Sequence, residues 1–384
     1  MSTPATIRPA AVNELVTIAA GFVAEGVLPS LQLAVARHGK VIAARTFAKD
    51  GVAADEHTLY TIFSCTKALT ASAAWLLEQD GRLDVSERVV DVIPEFGSNG
   101  KERVTIEQLL THTSGFPVAP FAPLDWNDRE RRLERFRKWR LDWEPGSRFV
   151  YHPMTSFWVL AEVIERRAGQ DFREFVRERI VRPLGIADLH LGDTAGLEDR
   201  VAPVVHVGER PAPEMLRDLG IALPPSVTDD EKYFEAYNRA DVRAVGAPAS
   251  GAVATASALA LFYQGLLHDL AARDGEHRVW RPATIARALE VRTGELIDPM
   301  IRRRAHRGLG VVIAGDDDKV YRGFGSEVSA QAFGHPGAGG QVAWADPATG
   351  ISFVCLTNGF DRDVIRLGMR GVVLSSLAAQ CTEA

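Results

Sequence analysis

The chain has 384 residues, 46% hydrophobic and 24% charged, with a formal net charge of -6 at neutral pH. Those proportions describe an ordinary globular chain with ample apolar material for a large core. A mildly acidic balance spread along the chain gives no footing for nucleic acid or for an anionic membrane surface.

The first predicted element is a helix over 11–26, where Val12, Leu15, Val16, Ala19, Phe22 and Val23 recur at helical spacing. Two strands follow, 31–36 and 41–46, joined by the turn-like Arg37-His38-Gly39-Lys40. A third extended piece, 58–63, leads into an apolar helix over 64–79 that stops at Asp80-Gly81. The middle of the chain reads as helices with long loops: 105–110, 129–140, 157–168 and 172–180. Segment 203–245 is irregular and rich in Pro and Asp, the pattern of a lid or insertion. A helix over 255–268 then precedes strands at 308–313, 319–322 and 331–333. A hairpin, 341–345 with 351–356, turns at Asp346-Pro347-Ala348-Thr349-Gly350, and a helix over 363–380 closes the chain.

Strands at both ends and helices between them predict an α/β (α+β) fold. One antiparallel sheet is built from both termini and flanked by helices, with a mostly helical lobe inserted. The expected division of this single domain is an α/β lobe at about 1–63 and 250–384 and a helical lobe at about 64–249. A cleft between lobes is the natural place for a site.

Ser64-Cys65-Thr66-Lys67 stands where an extended segment opens a helix. A serine at a helix N-terminus lies near unpaired N–H groups that favour a developing oxyanion. Positions i and i+3 share a helix face, so the Lys67 amine can reach the Ser64 hydroxyl. A lysine kept from water, near another cation or a phenol, loses its proton readily and serves as a base. By itself S-x-x-K is a weak signal, since a serine cap followed by a surface lysine has the same pattern. The strongly apolar helix behind it asks why a lysine is there.

Three further segments bear on that question: Leu109-Leu110-Thr111-His112-Thr113-Ser114-Gly115, then Tyr151 in Phe149-Val150-Tyr151-His152-Pro153, then His335-Pro336-Gly337 before a strand. Together with Ser64–Lys67, in this order and spacing, they resemble the serine β-lactamase and penicillin-binding-protein superfamily. More narrowly, they look like the family VIII carboxylesterases and class C β-lactamase relatives, over roughly residues 15–375. The resemblance implies the β-lactamase/transpeptidase-like fold, Ser64 as nucleophile, and Lys67 and Tyr151 as its proton acceptors. It also implies an oxyanion hole from the N–H groups of Ser64 and Ala338, with His335 and Gly337 on the substrate strand, and no metal or organic cofactor. A phenol near two amines is expected to have a lowered pKa. Pro153 departs from the pattern: the lactamases carry an asparagine there, whose amide binds substrate and lysine, and proline has no such amide. His335 stands in place of a lysine, which removes a permanent cation and favours uncharged acyl substrates.

The expected activity is hydrolysis of carboxylic esters through an acyl-enzyme on Ser64, with a small-molecule ester as partner and the oligomeric state open. Alternatives on the same residues are a β-lactamase, a D-amino-acid peptidase or an acyltransferase; outside enzymes, an acylated binding or sensor protein. His112 reads better as a packed, backbone-bonded residue than as a catalytic one. His57, His152 and His190 lack metal-ligand spacing, and G-x-S-x-G is absent. Arg129–Arg140 is basic but interleaved with Glu130 and Glu134, as in an amphipathic helix. Three scattered cysteines, Cys65, Cys355 and Cys381, suit a reducing compartment. With no basic leader into an apolar stretch and no apolar run of about 18 residues, the expectation is a cytoplasmic protein without a membrane span.

Overall fold

The computed structural model describes residues 7–218, 231–273 and 275–382. Its centre is a six-stranded antiparallel sheet in the order Lys40–Ala48, Ser30–Arg37, Ile351–Thr357, Val342–Asp346, Phe333–Gly334, Val312–Ile313. The two ends of the chain meet at its middle, where Leu31 pairs with Thr357 and Arg37 with Ile351. The first hairpin turns on His38 and Gly39, both with positive φ (50° and 73°), as a two-residue hairpin loop requires.

Alternation along these strands assigns each face to its own core. Leu31, Leu33, Val35, Phe353 and Cys355 face one way, against Leu15, Ala19, Leu374 and Ala378 of the helices Pro9–Ala24 and Val364–Ala379. Ala34, Ala36, Val354 and Leu356 face the other way, against Leu259, Tyr263 and Leu266 of the helix Ala256–Ala271. Beyond that helix lies Thr66–Gln79, in which every residue from Thr66 to Leu77 is buried. A helix apolar all round belongs in the interior, and this one packs on Thr155–Ala168 and Pro282–Leu289.

Two expectations on strands fail. The extended piece before Ser64 forms a strand only over Tyr60–Thr61, paired with Ala252–Ala254 in a separate three-stranded sheet that Leu189–Leu191 completes, while Leu59 makes an isolated parallel bridge to Val201. Residues Lys319–Arg322 form a 3-10 turn rather than a strand. There Asp318 and Gly323 take positive φ at either end, and the Arg322 guanidinium folds back on the carbonyls of Arg304, Ala314 and Asp317.

The basic helix is Arg129–Lys138, and its charge is answered inside the molecule. Arg132 is buried and donates to Glu162 and Glu165, and Glu162, fully buried, also receives Arg129 and Arg166. In the irregular segment the described parts are the strand Val205–Val207, paired with Gly359–Asp361, and the helices Pro213–Asp218, Glu231–Glu235 and Ala240–Val245. Residues 219–230 of the expected lid lie outside the described residues.

Candidate active site

Ser64 sits in a 3-10 turn, Phe63–Cys65, that runs directly into Thr66–Gln79. Phe63 holds φ 44°, a conformation that bulky L-residues avoid and that persists where packing enforces it. The enforcement is visible: the Phe63 ring meets Phe234, Tyr237 and Phe360 edge-on, with centroids 5.5–6.0 Å apart. Cys65 N–H closes the turn on Ile62 O, and the Cys65 thiol donates to His335 O at 3.1 Å. The turn carrying Ser64 is thereby tied to the strand carrying His335.

Lys67 projects from the first turn of the helix, fully buried. Its Nζ lies 3.3 Å from Ser64 Oγ, 2.7 Å from Pro153 O and 3.1 Å from Ala249 O. Burial, and then the nearby Arg307 cation, hold its pKa well below the ordinary lysine value. In the neutral amine two N–H groups satisfy the two carbonyls, and the lone pair is left for the Ser64 hydroxyl. Pro153 thus does through its backbone carbonyl part of what an asparagine side chain would do there.

Tyr151 approaches from the other side, its hydroxyl donating to Ser64 Oγ at 2.8 Å. The phenol departs from expectation. Burial pushes its pKa up to about 12, and the Ser64 hydrogen bond and Arg307 only partly oppose that. Desolvation outweighs the neighbouring cations, so at neutral pH Tyr151 is a protonated donor. Tyr151, Ser64 and Lys67 form one hydrogen-bonded line along which a proton can move toward the amine.

His112 accepts the backbone N–H of His152 at its Nδ1 and packs its ring, tilted by 53°, against Tyr151 with centroids 4.7 Å apart, which is the packing role read from the sequence. His152 is buried as well, accepting Phe116 N–H at Nε2 and facing Val150 O with Nδ1.

His335 is 3% exposed. Its Nδ1 is 2.7 Å from Pro336 O, and its Nε2 lies 3.4 Å from Arg307 Nη1. Burial first, then Arg307 and Lys67, keep the imidazole neutral. Arg307 belongs to none of the motifs in the sequence. Its mark in the sequence is its place at the end of the basic run Arg302-Arg303-Arg304-Ala305-His306-Arg307, directly before the apolar stretch Gly308–Ile313. It returns a permanent cation to a site from which His335 was expected to have removed one.

Gly337 passes against the backbone just before Ser64: a Cβ there would lie 2.6 Å from Ile62 O and 2.8 Å from Gln341 Cβ. Gly337 N–H donates to Gln341 O, and Ala338, next along, packs against the Phe63 aromatic cluster. Gly337→Ala is expected to displace this strand, costing about 1–3 kcal/mol of stability and at least about tenfold in kcat/KM. Thermal melting and ester kinetics read the two effects.

Other candidate groups lie elsewhere. Among the described residues one trio has the proximity for a metal ion: His206, Glu231 and Glu235. The Glu231 carboxylate there is already clasped by Arg362 at 2.7 and 2.9 Å. A surface cavity of about 780 Å³, lined by Arg173, Arg177, His190 and Asp193 among others, shares no residue with the Ser64 site.

The antiparallel sheet built from both chain ends, with helices packed on its two faces, is a fold that known proteins share. The chain belongs to the beta-lactamase family, whose model matches residues 15–376. It is 27% identical to the esterase/beta-lactamase LipL of Mycobacterium tuberculosis, over 77% of this chain and 68% of that one. A penicillin-binding protein homologue from Caulobacter crescentus superposes with a TM-score of 0.78 at 29% identity over 97% of both chains. A family VIII carboxylesterase shares the fold with a TM-score of 0.75 at 22% identity, also over 97% of both. No helix among the described residues is long and apolar enough to cross a membrane.

Proposed function

We propose that the protein is a serine carboxylesterase that works through an acyl-enzyme on Ser64. The observation that carries the reading is the line from Tyr151 through Ser64 to a fully buried Lys67 amine. As Ser64 Oγ bonds to the ester carbonyl carbon, its proton passes to Lys67 Nζ, and the oxyanion is met by the N–H groups of Ser64 and Ala338. Tyr151 gives its phenolic proton to the departing alkoxide and recovers one from Lys67. Water then attacks the acyl-enzyme, its proton taken by the same pair, and Ser64 leaves with a proton returned to it.

Preference for esters over lactams is supported by Pro153, which presents a carbonyl and no side-chain amide to the site. A reducing, cytoplasmic setting agrees with three free, buried cysteines.

The experiment compares p-nitrophenyl esters of increasing chain length, nitrocefin and a D-alanyl anilide, with native protein and Ser64→Ala. The reading expects ester turnover to exceed the other two and to vanish in the variant. Nitrocefin turnover faster than that of any ester overturns it in favour of a lactamase. Acylation without turnover makes the protein a covalent sensor.

A further inference from the structure

Arg307 is nine-tenths buried. Its guanidinium lies 5.3 Å from the centre of the Phe149 ring and 5.6 Å from that of Tyr151. The Tyr151 ring also has Lys67 Nζ 5.1 Å from its centre, so two basic groups stand against one phenol. Among the described residues no carboxylate forms an ion pair with Arg307, and its Nε has no hydrogen-bond partner. The nearest direct polar contact is the neutral His335 ring at 3.4 Å. The Asp298 carboxylate acts on it electrostatically without closing into an ion pair, and a buried cation so weakly countered is costly to keep. Arginine, unlike lysine, cannot relieve that cost by shedding its proton.

The charge therefore acts on what surrounds it. We propose that Arg307 is a positioning residue of the active site. From behind Tyr151 it supplies the positive charge that His335 does not, favouring the neutral amine of Lys67 and the oxygen of Tyr151 while it is between protons. This rests on the serine-hydrolase reading. The electrostatics agree with the geometry: after burial, Arg307 is the largest influence lowering the proton affinity of Lys67, His112 and His335. The remaining groups facing this cluster are Cys65, whose thiol burial keeps protonated, His152, held neutral by burial, and Asp298, whose own burial disfavours its charge. None of them substitutes for a permanent cation.

The test is a pH profile. Arg307→Gln removes the charge and Arg307→Lys keeps it, and each is compared with native protein by kcat/KM for p-nitrophenyl butyrate. In parallel, the second-order rate of Ser64 phosphonylation by a fluorophosphonate is followed, which reports Ser64 activation whether or not esters are turned over. Removing a positive neighbour lets Lys67 hold its proton to higher pH. The acid limb should then move up by about one pH unit in Arg307→Gln, and at any pH on that limb the rate should fall about tenfold. Arg307→Lys should keep the limb within a few tenths of a unit of native. If Arg307→Gln is folded and its limb is unmoved, the proposal is wrong. If Arg307→Gln does not fold, Arg307→Lys decides alone: a limb near the native position supports the proposal, and a shift of a full unit in this charge-conserving variant overturns it. Native protein that phosphonylates normally but turns over no ester would instead sink the esterase reading.

Discussion

Replacing Lys67 by methionine is expected to lower kcat/KM for esters by about three to four powers of ten, the upper range for loss of a positioned general base. Methionine fills the space of the aliphatic stem, so the loss is chemical: no lone pair faces Ser64 Oγ where Nζ stood at 3.3 Å. The fold should survive. The variant orphans two buried carbonyls, Pro153 O and Ala249 O, at roughly 1–3 kcal/mol each. Against that it removes a polar group that is fully buried, and the net change in unfolding free energy should stay within about 3 kcal/mol.

The sign of the pH dependence follows from the same residue. Lys67 is held well below its ordinary value of 10.5 by burial and Arg307. Native kcat/KM should therefore fall as pH drops through that depressed value, because the protonated amine cannot accept from Ser64. It should stay level above it, since Tyr151 keeps its proton to about 12. Between the depressed Lys67 value and 10.5 the unfolded chain binds the proton that the folded state lacks, so this group's contribution to stability rises with pH there. Lys67→Met should abolish both the acid limb and that slope, as pH-rate profiles and urea unfolding at several pH values would register.

Tyr151→Phe is expected to cost about two to three powers of ten in kcat with KM nearly unchanged. The ring stays wedged between His112 and His335, with centroids 4.7 and 5.9 Å away, while the hydroxyl 2.8 Å from Ser64 Oγ is lost. In the proposed mechanism that hydroxyl protonates the departing oxygen, so the loss should depend on the alcohol. Alkyl esters, whose alkoxides need the proton, should lose more than p-nitrophenyl esters, whose phenolate leaves without it. Equal losses for both would assign Tyr151 to orienting Ser64 and not to the leaving group.

What could be read in the sequence was what local chemistry dictates. The first hairpin announced itself by His38-Gly39, and the long helices by their apolar periods, within two or three residues at each end. Ser64, Lys67 and Tyr151 were legible because they sit in motifs, and the fold brings them into a hydrogen-bonded line. Two-residue strands such as Tyr60–Thr61 and Val312–Ile313 carry too few residues for any alternation to register. Their pairing is decided by distant segments. Tyr151's proton affinity was misjudged because burial, which no spacing reveals, opposes the cations that spacing suggests. Pro153 read as a loss, since its side chain has no donor, whereas its carbonyl binds Lys67 at 2.7 Å. Arg307 came to light only once the chain was folded around Tyr151.

The central claim is that Ser64, with Lys67 as base, is the covalent nucleophile. Its most direct test is intact-protein and peptide mass spectrometry after rapid acid quench during turnover of a p-nitrophenyl ester. The expected result is a mass increase of one acyl group, mapped to the peptide containing Ser64 and absent from Ser64→Ala. An acyl group found on another residue, or ester hydrolysis undiminished in Ser64→Ala, would contradict it.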